Sequence, residues 1–186
     1  MSALLQEAGP IVRRRLRIAS TWQATLDLAD VMQVTYMEAF LRVGQLNERT
    51  HEAFLAWLTK IAENNLRDAV RELERARRPD PRRRVHRRNP EETTITLLEA
   101  LGCTTATASR HAADREARQM IEAAIARLPD TYQKVVHLCD LEDQPVQKVA
   151  EALGKSPGAV YMLRARAHDR LREILGSESR FFSGSA

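Results

Sequence analysis

The chain of 186 residues is poor in the groups that staple a fold, hold a metal or cross a membrane. It has two cysteines. Cys103 and Cys139 belong to no CxxC or CxxH pair, which argues against a disulfide framework and a zinc site. The histidines at 51, 86, 111, 137 and 168 show no HExxH or paired-ligand spacing. No glycine-rich phosphate loop, GxSxG elbow or nucleophile constellation is present. The expectation is a non-enzyme with no catalytic residue, no cofactor, no metal and no small-molecule substrate. No apolar run approaches the roughly 18–20 residues that span a bilayer. The opening MSALLQEAGPIVRRRL lacks the uninterrupted apolar stretch of a signal peptide. A cytoplasmic protein without a membrane partner is expected.

Aromatics are also scarce, at 5%. Alanine, leucine, arginine and glutamate dominate instead, which favours helices over strands. The formal charge is +4, a mild basic excess compatible with nucleic acid. The placement of the arginines says more than their number.

Three helices are expected in residues 1–78. The first runs Ala3–Ala19, with Gly9-Pro10 as a possible bend or restart. The second, Leu26–Val43, sets Leu28, Val31, Thr35 and Ala39 at helical spacing before Gly44 stops it. The third, from Thr50 to about Arg78, carries the apolar stripe Phe54, Leu58, Ile61, Asn65, Ala69. Residues 79–113 change character: Arg82–Arg84, Arg87 and Arg88 precede a Thr/Ala/Ser-rich stretch. Apart from a short turn at Leu97, Leu98 and Leu101, that stretch lacks a period and reads as a flexible basic linker. Residues 114–176 are helical again, with Asp114 as a cap, a break at Leu128-Pro129-Asp130, and a last helix ending at Gly176. The tail 177–186 is expected to be frayed and disordered. The fold class is all-α, two small helical domains joined by a flexible linker.

The sharpest local pattern is VQKVAEALGKSPGAVYML, Val146–Leu163. A helix-turn-helix needs a small residue at the crossing (Ala150) and one tolerant of positive φ in the turn (Gly154). Apolar pins (Val149, Leu153, Val160, Leu163) and an N-cap (Ser156) complete it. The plain alternative is a helical hairpin with a glycine in its turn. Lys155, Arg164, Arg166, Arg170 and Arg172 lie on or beside the second helix, while Asp140, Glu142 and Asp143 precede the first. Such asymmetry suits a polyanion.

Together the blocks resemble the sigma-70 family of RNA polymerase sigma factors, specifically its small extracytoplasmic-function (ECF) group. ARLPDTYQKVVHLCDLEDQPVQKVAEALGKSPGAVYMLRARAHDRL resembles region 4. LADVMQVTYMEAF resembles region 2.2, an Asp-x-x-Gln helix followed by an aromatic. FLAWLTKIAENNL, continued by Asp68 and Arg71, resembles regions 2.3 and 2.4. The resemblance implies an alternative sigma factor that binds core polymerase (its β and β′ subunits) and directs initiation at promoter DNA, with an anti-sigma factor as a further possible partner.

Residue by residue, the resemblance places Asp30 and Gln33 at the β′ coiled coil, and three-residue spacing puts both on one helical face. Lys60, Asn64, Arg67 and Arg71 fall on the −10 face, where an asparagine can read an unstacked base and the cations can hold phosphates. The loop Gln45–His51 corresponds to the segment that receives a flipped −10 base. Trp57 either packs that loop or stacks on DNA. For the −35 element the candidates are Lys155, Ser156, Tyr161, Met162, Arg164 and Arg166. Projected as a helix, Val160, Leu163 and Ala167 form the packed side, and Gly158, Met162 and Ala165 are expected to be exposed.

The chain departs from the family pattern twice. Tyr161-Met162-Leu163-Arg164 replaces the usual basic-Ser-Arg-Leu, with leucine and arginine exchanged. Ala29 stands where an acidic residue is common. The rival reading is a stand-alone helix-turn-helix regulator that binds operators without polymerase. That reading requires a dimerisation surface, and the first block offers a region 2 pattern instead.

Overall fold

The computed structural model describes residues 2–46, 48, 50–77, 97–98, 101 and 110–182. Among the described residues every regular element is helical. They divide into two compact units, one within Met1–Pro79 and Ala150–Met162, the other within Asp80–Val149 and Leu163–Ala186.

In the first unit α1 (Ser2–Arg15), α2 (Leu28–Arg42) and α3 (His51–Arg77) pack on one another. Pro10 lies inside α1 without ending it. Gly9 beside it is required by packing, because a Cβ there would run into the Tyr36 hydroxyl of α2 and stand 2.9 Å from its Cζ. The first helix ends at Arg15, short of the expected Ala19, and a 3-10 turn follows at Ser20–Trp22. Arg77 lies over the buried Trp22 ring, 3.9 Å from its centroid. Such a cation–π contact contributes about 0.5–1 kcal/mol at an exposed site. Asp27 caps α2 by accepting the Ala29 N–H at 2.8 Å, and Thr50 Oγ1 caps α3 by accepting the Ala53 N–H at 3.2 Å.

The core of this bundle is Ala8 and Val12 of α1 with Leu16 just after it, Val31, Val34 and Ala39 of α2, and Phe54, Leu58, Ala62, Ala69 and Leu73 of α3. Burying one leucine such as Leu58 contributes about 1.5–3 kcal/mol. Thr35, Glu38 and Asn65 are buried with them and paired, Glu38 with Arg42 at 3.0 Å. Asn65 Nδ2 donates to Thr35 Oγ1 at 3.2 Å, and Thr35 Oγ1 donates to the Val31 carbonyl at 2.7 Å.

In the second unit α4 (Arg110–Ala126) leads to α5 (Asp130–Val136). The Leu128-Pro129 break is tightened by Leu128 N–H donating to the Ile125 carbonyl at 2.9 Å. Gln133 Nε2 reaches back to the Leu128 carbonyl at 2.8 Å, satisfying an orphan acceptor at the end of α4. Ile121, Ala124, Ile125, Leu128, Tyr132, Val135 and Val136 are buried. A π-turn at His137–Leu141 follows α5.

Three expected boundaries are corrected. The fourth helix begins at Arg110, so Asp114 lies within it rather than capping it. Residues 110–113 therefore leave the expected linker. Leu97, Leu98 and Leu101 are buried, with Leu101 N–H donating to the Leu97 carbonyl at 2.9 Å, as the short turn expected there requires. The other linker positions lie outside the described residues. The last helix, α7 (Pro157–Phe182), passes through Gly176 instead of stopping there, so the tail is helical as far as Phe182. Glycine costs about 1 kcal/mol in a helix interior but does not forbid it.

Candidate nucleic-acid interface

Helix α3 has two faces. Phe54, Leu58, Ala62, Asn65, Ala69 and Leu73 are buried at helical spacing, whereas Lys60, Arg67 and Arg71 are exposed and Asn64 is half-buried. The side chains of Lys60 and Arg71 make no hydrogen bond or ion pair among the described residues. Arg67 Nη1 donates to Asn64 Oδ1 at 3.1 Å, which leaves the Asn64 amide protons available. Ile61, placed on the buried stripe from sequence, is only half-buried, and Ala62 takes its place. The Trp57 ring lies 5.9 Å from the Phe54 ring in a tilted pair, which favours packing over DNA stacking.

Between α2 and α3 lies a hollow of ≈ 380 Å³ lined by Leu4, Val43, Gly44, Leu46, Thr50, His51 and Phe54. Its rim borders the loop expected to take a flipped base. Sequence reasoning did not single out Leu4 or Val43, whose apolar side chains are partly exposed there. Val43 lies just before that loop, but Leu4 is distant from it in sequence, so no local signal joined them.

Asp30, Gln33 and Phe40 share the outer face of α2. Gln33 is exposed and Phe40 is 67% exposed. Asp30, which the resemblance places at a polymerase surface, is largely covered here. Its Oδ2 accepts the Ser156 N–H at 2.8 Å, its Oδ1 lies 3.5 Å from Lys155 Nζ, and Lys155 Nζ also donates to Gln33 Oε1.

The turn after α6 (Val146–Leu153) forms as the glycine requires. Gly154 has φ +60°, its N–H donates to the Glu151 carbonyl, and Lys155 N–H donates to the Ala150 carbonyl. That pair of bonds is a Schellman motif. Ser156 caps α7, its Oγ accepting the Ala159 N–H at 3.3 Å, and Pro157 holds the first helical position.

The expected recognition face is redrawn in three places. Met162 is 1% exposed and belongs to the core, so it is not a base contact in this structure. Gly158 is buried too, its N–H donating to the Thr25 carbonyl at 2.9 Å. Arg164 donates twice to Asp140 Oδ1, from Nε at 2.9 Å and Nη2 at 2.6 Å. It therefore works as a strut between α7 and the π-turn. Arg166 pairs with Asp169 at 3.0 Å and is mostly covered. Tyr161 and Ala165 are half-buried, and Lys155 and Ser156 hold the amino end of the helix.

Asp140 is the charge centre of the second unit. His168 Nε2 stands 3.0 Å from its Oδ2. Burial alone would raise its pKa, but His168 and Arg164 outweigh burial and hold the carboxyl below the ordinary range. Among the described residues no cluster of His, Cys, Asp and Glu could hold a metal, and no helix is long and apolar enough to cross a membrane.

The family model "Sigma-70 region 2" matches residues 10–76, and "Sigma-70, region 4" matches residues 118–171. The chain belongs to the sigma-70 family. Its relatives place it in the ECF group. It is 27% identical over 147 residues to the RNA polymerase sigma factor CarQ of Myxococcus xanthus, covering 79% of this chain and 74% of that protein. It is 27% identical over 177 residues to the ECF RNA polymerase sigma factor SigE of Mycolicibacterium smegmatis, covering 94% of this chain and 60% of that protein. A solved structure, the flagellar sigma/anti-sigma complex Sigma-28/FlgM, aligns over 95% of this chain and 94% of that one at 20% identity and TM-score 0.41.

As an alternative sigma factor the protein directs transcription initiation. The region 2 match runs from within α1 to near the end of α3, and the region 4 match runs from within α4 into α7. The partners of sigma factors are in general RNA polymerase and promoter DNA, and sigma factors are non-catalytic initiation factors.

Proposed function

We propose that residues 1–78 dock core polymerase and read the −10 element, that residues 114–176 read the −35 element, and that the basic stretch between them lies along the polymerase. Asp30 and Gln33 meet a basic surface of the β′ subunit, with Phe40 adding an apolar contact on the same helix face. Further contacts fall to β. Lys60, Arg67 and Arg71 hold phosphates of the −10 strand, Asn64 reads a base edge, and the hollow beside Leu46 and Thr50 takes a flipped base. Tyr161, Lys155 and Ser156 carry the −35 contacts, with Arg166 beside them.

The observation that supports this reading most directly is the division of α3. One face supplies the core of the bundle, and the other carries exposed cations and a half-buried asparagine at three- and four-residue spacing. Helical burial alone does not require those residue types on the open side. An operator-binding regulator would not need such a face on this helix.

The test is run-off transcription with core polymerase and permanganate footprinting of the start site. Asn64→Ala should lower open-complex formation and relax −10 preference by about 1–3 kcal/mol, the worth of a good base-edge contact. Unchanged permanganate reactivity for Asn64→Ala would remove its role.

A further inference from the structure

The first unit brings the expected polymerase-docking face and the amino end of the recognition helix into one contact. Asp30 Oδ2 accepts the Ser156 N–H at 2.8 Å, and the Thr25 carbonyl accepts the Gly158 N–H at 2.9 Å. Lys155 donates to Gln33 and lies 3.5 Å from Asp30.

The first turn of a helix exposes backbone donors with no partner inside the helix. These donors, with the helix dipole, are suited to a phosphate. In α7 they are already taken. Pro157 has no N–H, Ala159 N–H goes to the Ser156 hydroxyl, and Ser156 and Gly158 N–H go to region 2 oxygens. The Asp30 carboxylate thus stands where a DNA phosphate would. Lys155 in turn stands where a basic surface of polymerase would meet Asp30 and Gln33.

The fit is close, because Gly158 has no side chain. A Cβ there would stand 2.5 Å from Leu26 Cδ1 and 3.1 Å from the Thr25 carbonyl oxygen. Glycine is otherwise a poor choice in a first helical turn exposed to solvent.

We propose that the Asp30–Gln33 face of α2 has an internal partner, the Lys155–Gly158 end of the recognition helix, and that this contact masks both surfaces in the free protein. The inference rests on the docking role proposed above. Polymerase and the internal contact compete for Asp30 and Gln33, and the −35 phosphate competes for the same helix amides. A partner that takes either surface releases the other, and the linkage is reciprocal. Apparent affinity for polymerase is lowered by the fraction of molecules that are open.

The full chain carrying Leu26→Cys and Gly158→Cys tests this. The 158 Cβ would lie 3.1 Å from the Leu26 Cβ, slightly inside the roughly 3.5–4.5 Å of disulfide Cβ pairs, and replacing Leu26 removes the Cδ1 clash. Mild oxidation of the free protein should give the 26–158 disulfide, identified by peptide mass. The oxidised form should bind core polymerase at least about tenfold more weakly than the same protein after reduction, which also controls for folding. Failure of that pair to form, or equal polymerase affinity of the oxidised and reduced forms, would overturn the proposal.

Gly158→Ala opens the contact without disfavouring the helix. Its apparent affinity for polymerase should rise, by about tenfold if nine-tenths of the molecules are closed, and an unchanged affinity would count against the mask. Adding Asp30→Arg to the opened variant tests the docking role separately. If polymerase affinity then survives, the docking assignment falls, while the disulfide in the free protein still decides whether the internal contact exists.

Discussion

Replacing Asp140 with asparagine should destabilise the second unit and leave the first nearly untouched. The carboxylate is 4% exposed and takes three contacts, two from Arg164 and one from His168. Asparagine keeps the shape but loses the charge, and its amide nitrogen cannot accept from either partner. A hydrogen bond to a charged group contributes about 1.5–3 kcal/mol. Arg164 is 37% exposed and regains water when released, so its share is discounted. His168 is only 13% exposed and recovers less. The expected loss is about 2–4 kcal/mol, a large part of a typical domain stability of about 5–15 kcal/mol.

Two probes separate the units. Both tryptophans, Trp22 and Trp57, lie in the first unit. Their fluorescence in a urea titration reports that unit, while far-UV circular dichroism reports both. Asp140→Asn should move the part of the dichroism transition that the tryptophans do not follow. The sign with pH is fixed by the lowered Asp140 pKa. The stabilisation is fully present above the unfolded value of about 3.9 and is lost as pH falls through the folded value below it. The gap between wild type and variant should therefore close in acid. An unmoved dichroism transition at neutral pH, or a gap that persists below both values, would refute the assignment.

Met162→Ala should cost about 2–5 kcal/mol of stability by opening a cavity, without altering −35 preference, whereas Tyr161→Ala should change preference with little stability loss. Thermal melts paired with duplex competition decide between them. Gly9→Ala should lower the melting temperature by forcing a Cβ against Tyr36, and adding Tyr36→Phe should recover part of the loss. If the double variant melts no higher, the clash is not the cause. Arg67→Ala and Arg71→Ala should weaken all −10 sequences alike and reduce the salt dependence by about one counterion each, so a changed sequence preference would reassign them to base reading.

What the sequence made legible was local. The 3.6-residue period marked α3, and the glycine requirement marked Gly154, because both are properties of consecutive residues. Ser156 and Pro157 likewise announced the start of α7. The errors lie where a distant residue decides. Arg164 read as a DNA contact because its partner, Asp140, is 24 positions away, and that acid was read only as part of a charge asymmetry. Gly158 read as exposed because nothing near it in sequence shows Thr25 and Leu26 arriving. A single packed side was assumed for α7, so Met162 was placed outside when its helix is covered over a wider arc. Gly176 read as a stop, although a residue that permits a turn does not compel one.

Cys139 has a use that its burial creates. The thiol is free and 6% exposed. Burial pushes its pKa up to about 11, against the opposing pull of Arg164. At neutral pH only about one molecule in ten thousand is then a thiolate, the form that alkylating and oxidising reagents attack. Modification in the native state must await an opening of the second unit, so the alkylation rate of Cys139 is a clock for that opening. It can be read peptide by peptide while polymerase or promoter DNA is added, without engineering a new cysteine.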